Sequence, residues 1–244
     1  MKRLQPLVLL ATFAACLAVP ARAQIDQFTR NLVVPPGDAR PSTGTDDGRI
    51  GSGLKEALQV ATEKAIGSTG RPNGYLDNAA IRIPMPEKLQ SVEKGLRMAG
   101  LGAQADEFIA SMNHAAEQSA PAARPIFVEA IRGIGFDDAR RILGGGDTAA
   151  TDYFRRATRQ RLAAAFTPIV QRNMDEVGVT HRYHELMAAA ETLPFVKSQS
   201  FDIDAYVVGK ALDGLFHEMA AQERLIRRDP AARSTELLKE IFTR

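Results

Sequence analysis

Gly53-Leu54-Lys55-Glu56-Ala57-Leu58-Gln59-Val60-Ala61-Thr62-Glu63-Lys64-Ala65-Ile66 decides the fold class of this chain. Leu54, Ala57, Leu58, Ala61, Ala65 and Ile66 recur at three- and four-residue steps, which places them on one face of an α-helix. Gly67 and Gly70 end that helix, and Arg71-Pro72-Asn73-Gly74 reads as a turn.

The same period runs on toward the C-terminus. Pro86 opens a helix with Leu89, Val92 and Leu96 inward, and Gly100 stops it. A helix over about 103–119 is interrupted by Pro121 and Pro125, then resumes through Phe127, Ile131 and Ile134. Asp137 is expected to cap a short helix that ends at Gly144-Gly145-Gly146. The longest helical stretch starts at Asp147 or Thr148, reaches about Val177 and closes at Gly178, with a kink expected at Pro168. Thr180 caps a helix to about Glu191, and Phe195 to Ile203 reads as a loop. Asp202 or Asp204 then begins a helix through Arg228. Asp229-Pro230 marks the next boundary before a last helix over about 234–242, which buries Leu237, Leu238, Ile241 and Phe242. Only Ile81-Arg82-Ile83-Pro84 alternates, and its prolines bar it from a central strand. The expectation is an all-α fold, a single compact bundle of eight to ten helices with kinked long helices. No repeat of 30–45 residues is present, which argues against a solenoid.

Upstream of this domain, set at 52–244, residues 24–51 combine Pro, Gly, Ser, Thr and Asp with few apolar residues and read as a flexible tether. Residues 1–23 have the three parts of a secretory signal peptide: Lys2-Arg3, an apolar run from Leu4 to Val19, and Ala21-Arg22-Ala23 before Gln24. The run is shorter than the roughly 20 residues of a spanning helix. A soluble periplasmic product follows, with no transmembrane span after cleavage. The alternative is a lipoprotein anchored through Cys16, the only cysteine. Cleavage would leave a cysteine-free mature chain, stabilised by its packed core alone. It would also remove Lys2, Arg3 and Arg22 from the 31 basic residues, leaving 28 against 29 acidic ones. A near-neutral surface argues against nucleic acid as a partner, because phosphate binding needs concentrated positive charge.

A series of fragments in order carries a family resemblance. They are Gly53-Leu54-Lys55-Glu56-Ala57-Leu58, Asn73-Gly74-Tyr75-Leu76 with Asn78, and Ile81-Arg82-Ile83-Pro84-Met85-Pro86. Asn113-His114-Ala115-Ala116-Glu117, Pro125-Ile126-Phe127 and Ile142-Leu143 with Gly145 follow. Then come Asp147-Thr148-Ala149-Ala150-Thr151, Tyr153-Phe154, Tyr206-Val207, Ala211-Leu212-Asp213-Gly214-Leu215-Phe216, Ile226-Arg227, Asp229-Pro230-Ala231-Ala232-Arg233 and Thr235 to Phe242. With these fragments, residues 53–242 resemble the bacterial family known as domain of unknown function 4197. The resemblance implies an exported, helix-rich protein and no established activity. Thr243-Arg244 stand where the family pattern usually has a final Gly, a departure confined to the terminal cap.

Candidate chemistry is sparse. Asn113 and Glu117 lie four apart on one face of an alanine-rich helix, where Ala115, Ala116 and Ala120 let a ligand or another backbone approach closely. They read either as a ligand site or as a structural network in which Glu117 pairs with an arginine or caps another helix. Gly144-Gly145-Gly146-Asp147-Thr148-Ala149-Ala150-Thr151 has the look of a glycine-rich loop entering a helix, but it lacks the Lys-Ser/Thr pair of a phosphate loop. Asp147 is expected to satisfy that helix end itself. Arg227, Arg228 and Arg233 around Asp229-Pro230 read as an anion pocket or as cations favoured at a helix C-terminus. His181 and His184, three apart, would need a third metal ligand that nothing local supplies. Asp213 and His217, four apart, could orient a general base but more commonly lie on a solvated face.

These residues assemble no catalytic set, and neither a cofactor nor a metal is implied. The expected function is a non-enzymatic envelope module that binds an apolar or amphipathic, lipid-like ligand or an envelope protein. Asn113, Glu117, Asp147, Thr151, Arg227 and Arg233 are its candidate binding residues. One alternative is a carboxylate-based hydrolase using Glu117 and Asp147, which requires the two carboxylates to converge. The other is a structural component of an envelope assembly, which calls for an exposed apolar patch.

Overall fold

The apolar stripe of residues 54–66 forms one face of a long helix, α1 (Thr43–Thr69). Leu54, Ala57, Leu58, Ala61, Ala65 and Ile66 are all buried. The computed structural model describes residues 43–176 and 201–233, together with Gly178, His181, Glu185 and Ala188. Helix α1 begins inside the stretch expected to be a tether, because its first turns are helical from Thr43. It also runs through Gly67 and ends at Thr69.

Pro86 opens a single 3-10 turn (Glu87–Leu89) rather than the α-helix itself. Helix α2 (Gln90–Met98) follows, and Gly100 ends it in the left-handed region with φ +79°. Helix α3 (Gly102–Ser119) gives way to a 3-10 turn (Ala120–Ala122) at Pro121. Helix α4 (Ala123–Arg132) carries Pro125 in its first turn, where the missing N–H has no intrahelical partner to lose. Helix α5 spans Phe136–Leu143. Asp137 does not cap it: the N-cap is Gly135, and Asp137 sits inside the first turn, where a negative charge meets the helix dipole. Helix α6 (Ala149–Glu176) is continuous through Pro168. Helix α7 (Ile203–Arg228) starts as expected at Asp202, whose side chain accepts a hydrogen bond from the Ala205 N–H at 2.9 Å. The described residues thus hold α1 to α7, fewer helices than the eight to ten expected. The helices expected over 180–191 and 234–242 and the loop over 195–203 lie wholly or mostly outside the described residues.

Helix α7 packs against α1, α3 and α6, and α6 packs in turn against α3, α4 and α5. The core fills the space between them. Phe127 of α4 stands edge-on to Phe154 of α6 (5.9 Å) and to Phe216 of α7 (6.1 Å). Such pairs add about 0.5–1.5 kcal/mol beyond their buried area. Where α1 crosses the end of α7, Ala57 and Ala61 make room for Ile226. No helix among the described residues is long and apolar enough to cross a membrane.

Candidate functional site

The turn after α1 is where the family fragments meet. Asn73 takes a left-handed φ of +59°. Gly74 follows it against backbone oxygen: a β-carbon there would lie 2.4 Å from the Ser68 carbonyl and 2.7 Å from that of Thr69. The chain then turns inward. Tyr75 is fully buried, donates from its hydroxyl to the Ala211 carbonyl at 2.6 Å, and packs its ring against Gly214 of α7. Burial, reinforced by the Glu218 and Glu117 carboxylates, pushes its hydroxyl far above the ordinary tyrosine range, so it stays a donor.

Glu117 holds this turn. One carboxylate oxygen accepts the N–H groups of Tyr75 (3.1 Å) and Leu76 (3.2 Å). The other accepts the Asn73 N–H (3.1 Å) and faces His114 Nδ1 (3.0 Å). A carboxylate has about four acceptor sites, and all of them are taken. One turn earlier on α3, Asn113 is fully buried. Its Oδ1 accepts the Ile83 N–H at 2.8 Å, and its Nδ2 donates to the carbonyls of Ile83 (2.9 Å) and Ile109 (2.8 Å). Ile83, just past the turn that ends at Ile81, therefore pairs with a side-chain amide instead of a strand. Ala115, Ala116 and Ala120 are all buried, as the close approach of this segment to α3 requires. Asn78 completes the arrangement by donating to Glu218 of α7 at 3.0 Å.

A second brace joins α5, α6 and α7, and it turns on a residue that the sequence reading missed. Glu223 accepts the N–H groups of Ala150 (2.9 Å) and Thr151 (2.8 Å) and the Thr151 hydroxyl (2.8 Å). It thereby caps α6 from a different helix. Arg227 pairs with it at 3.0 Å and also donates to the carbonyl of Ile142 (2.8 Å), at the C-terminal end of α5. A carboxylate thus meets a helix N-terminus and a guanidinium a helix C-terminus, the favourable polarity for both dipoles. Asp147 is not the cap expected of it. It lies outside, in an ion pair with Arg228 that holds its carboxyl below the usual range. Arg233 donates to the carbonyls of Ile226 and Arg227 at 3.0 Å each, closing the end of α7. The only sequence signal for Glu223 was its four-residue spacing from Arg227, a pattern common on solvated helix faces.

The six candidate residues therefore fall into separate groups. Asn113 and Glu117 clamp the turn, Thr151 and Arg227 share Glu223, Arg233 caps α7, and Asp147 is half-buried and paired with Arg228. The carboxylates of Glu117 and Asp147 lie near different stretches of α7. Asn78, in the turn held by Glu117, reaches Glu218, whereas Asp147 meets Arg228. Those two α7 residues are separated by roughly 15 Å of helix. Asp213 pairs with Arg159 at 2.8 Å. His181 pairs with Glu185 on an exposed face at 3.1 Å, while His184 lies outside the described residues. No cluster of three metal-ligating side chains occurs among the described residues.

Several grooves open at the surface among the described residues. One groove of about 550 Å³ runs between α5 and α6 beside Asp138, Arg141, Asp152, Tyr153 and Arg156. Another of about 450 Å³ lies along α2. A third, of about 320 Å³, separates α6 from the start of α7. The gap beneath Leu54, Ala57, Met219 and Glu223 holds only about 10 Å³, about the least that admits one water.

The tight turn gives a direct check. Gly214→Ala would place a β-carbon 2.5 Å from the Tyr75 ring. The expected cost is about 1–3 kcal/mol, as for other overpacked cores, read as a fall in the chemical-denaturation midpoint at unchanged slope. An unchanged midpoint would show that the Tyr75 ring is not fixed there.

No curated protein and no solved structure matches this chain. A family model described as "Protein of unknown function (DUF4197)" matches residues 44–243. That span takes in the turn, both braces and every helix but the first residue of α1, so the chain belongs to the DUF4197 family.

Proposed function

We propose that the protein is a non-enzymatic binding module of the bacterial envelope, delivered by the leader at 1–23, that receives an apolar or amphipathic ligand or partner on its surface. One observation supports this most. Among the described residues, every buried polar side-chain atom already has a hydrogen-bond partner, and the conspicuous ones brace helices. Among the described residues, the surface grooves offer room to other molecules. The hydrolase reading gains nothing from the geometry, since Glu117 is saturated by four donors and Asp147 is held by Arg228. For a structural role in an assembly, the exposed large apolar side chains among the described residues are Met98, Leu101, Phe136 and Leu225. Phe136 is covered on one face by the Arg140 guanidinium, and scattered apolar residues of this kind are ordinary.

Protein taken from its own periplasm and delipidated should gain thermal stability when envelope lipid extract is restored. Native mass spectrometry of the untreated protein should show a bound small molecule. A melting temperature unmoved by extracts, with only the bare chain mass present, would overturn the proposal.

A further inference from the structure

The groove along α2 combines an apolar floor with a cationic rim. Met85 and Ile109 are buried and Pro84 stands beside them, while Arg82, Lys94 and Arg97 are exposed around the opening, with Glu93 the one carboxylate in the lining. Its volume of about 450 Å³ falls within the range of small-ligand sites. Arg97 is already engaged: it meets Glu93 at 2.9 Å and Asp106 at 2.6 Å. Arg82 and Lys94 make no ion pair with a described residue; Arg82 also acts on the Asp106 carboxylate that Arg97 holds, so Lys94 is the cation most open to an incoming anion.

The groove is also held in shape. Asn113 binds both backbone groups of Ile83, which pins the residue between Arg82 and Pro84. Arg82 and Pro84, on either side of the buried Ile83, are both exposed. Tyr206 of α7 secures the same segment by donating to the Pro84 carbonyl at 3.0 Å. A site whose backbone is already ordered loses less entropy when a ligand arrives.

We propose that this groove binds one anionic amphiphile, its chain against Pro84, Met85 and Ile109 and its carboxylate or phosphate head on Arg82 and Lys94. The proposal rests on the binding-module reading and names its site and ligand class. The occupant is a single dispersed molecule rather than a bilayer face.

Isothermal titration calorimetry on the delipidated protein tests it, with dodecanoate and dodecyl phosphate below their micellar concentrations. Both should bind. The double variant Arg82→Glu/Lys94→Glu should weaken them by about tenfold or more, since each head-group contact is charge-assisted. Both substitutions are at exposed positions, and circular dichroism will report whether the variant folds. Arg141→Glu, in the groove between α5 and α6, should leave binding unchanged. Equal binding of dodecyltrimethylammonium would overturn the role of charge. Equal binding of inorganic phosphate would overturn the apolar floor. Binding to phosphatidylglycerol vesicles without binding to either monomer would overturn the single-molecule occupant. If envelope extract stabilises the double variant as much as the parent, this site is wrong and the binding-module reading stands. If neither extract nor probe has any effect on the parent, both fall.

Discussion

Replacing Glu117 with alanine should destabilise the protein by about 3–5 kcal/mol, the cost of leaving several inward-facing N–H groups without an acceptor. In a domain of this size that corresponds to a melting temperature lower by roughly 10 °C or more. The N–H groups of Asn73, Tyr75 and Leu76 would lose their acceptor together. Glu117→Gln keeps one acceptor oxygen and should fall between the parent and the alanine variant. Amide hydrogen exchange separates this from a general loss of stability: Tyr75 and Leu76 should lose protection more than α6 does. A loss below about 1 kcal/mol would mean that water replaces the carboxylate, leaving Glu117 free for another role.

Breaking the second brace should be as costly. Glu223→Leu leaves Arg227 mostly buried beside the end of α5 without its carboxylate, and it strips the acceptor from Ala150 and Thr151. Removing one member of a buried pair typically costs about 3–5 kcal/mol. Arg227→Met should also destabilise, because Glu223 then loses its paired guanidinium and the Ile142 carbonyl loses its donor. The double variant should lose less than the sum of the singles, with a coupling of about 2 kcal/mol in the thermodynamic cycle. Additive losses would show that the two side chains act independently and that the guanidinium serves only the α5 carbonyls.

Much of the helical layout is legible in the sequence because an amphipathic helix advertises its buried face. Leu54 to Ile66 and Leu89, Val92 and Leu96 all point where their spacing says. Asp202 is legible as a cap because its partner is local, only three residues on. Asp137 and Asp147 were read by the same local rule, and there it fails. Gly135 precedes α5, and α6 is capped by Glu223 from 72 residues away. No window of sequence contains that contact.

The sequence by itself determined an all-α domain, its apolar helix faces and the family fragments. All of these depend on interactions within a turn or two of chain. Only the tertiary structure decided what the buried polar residues do. Asn113, Glu117 and Glu223 become braces because distant backbone groups, cut off from water, converge on them, and a buried N–H must find an acceptor wherever the fold provides one.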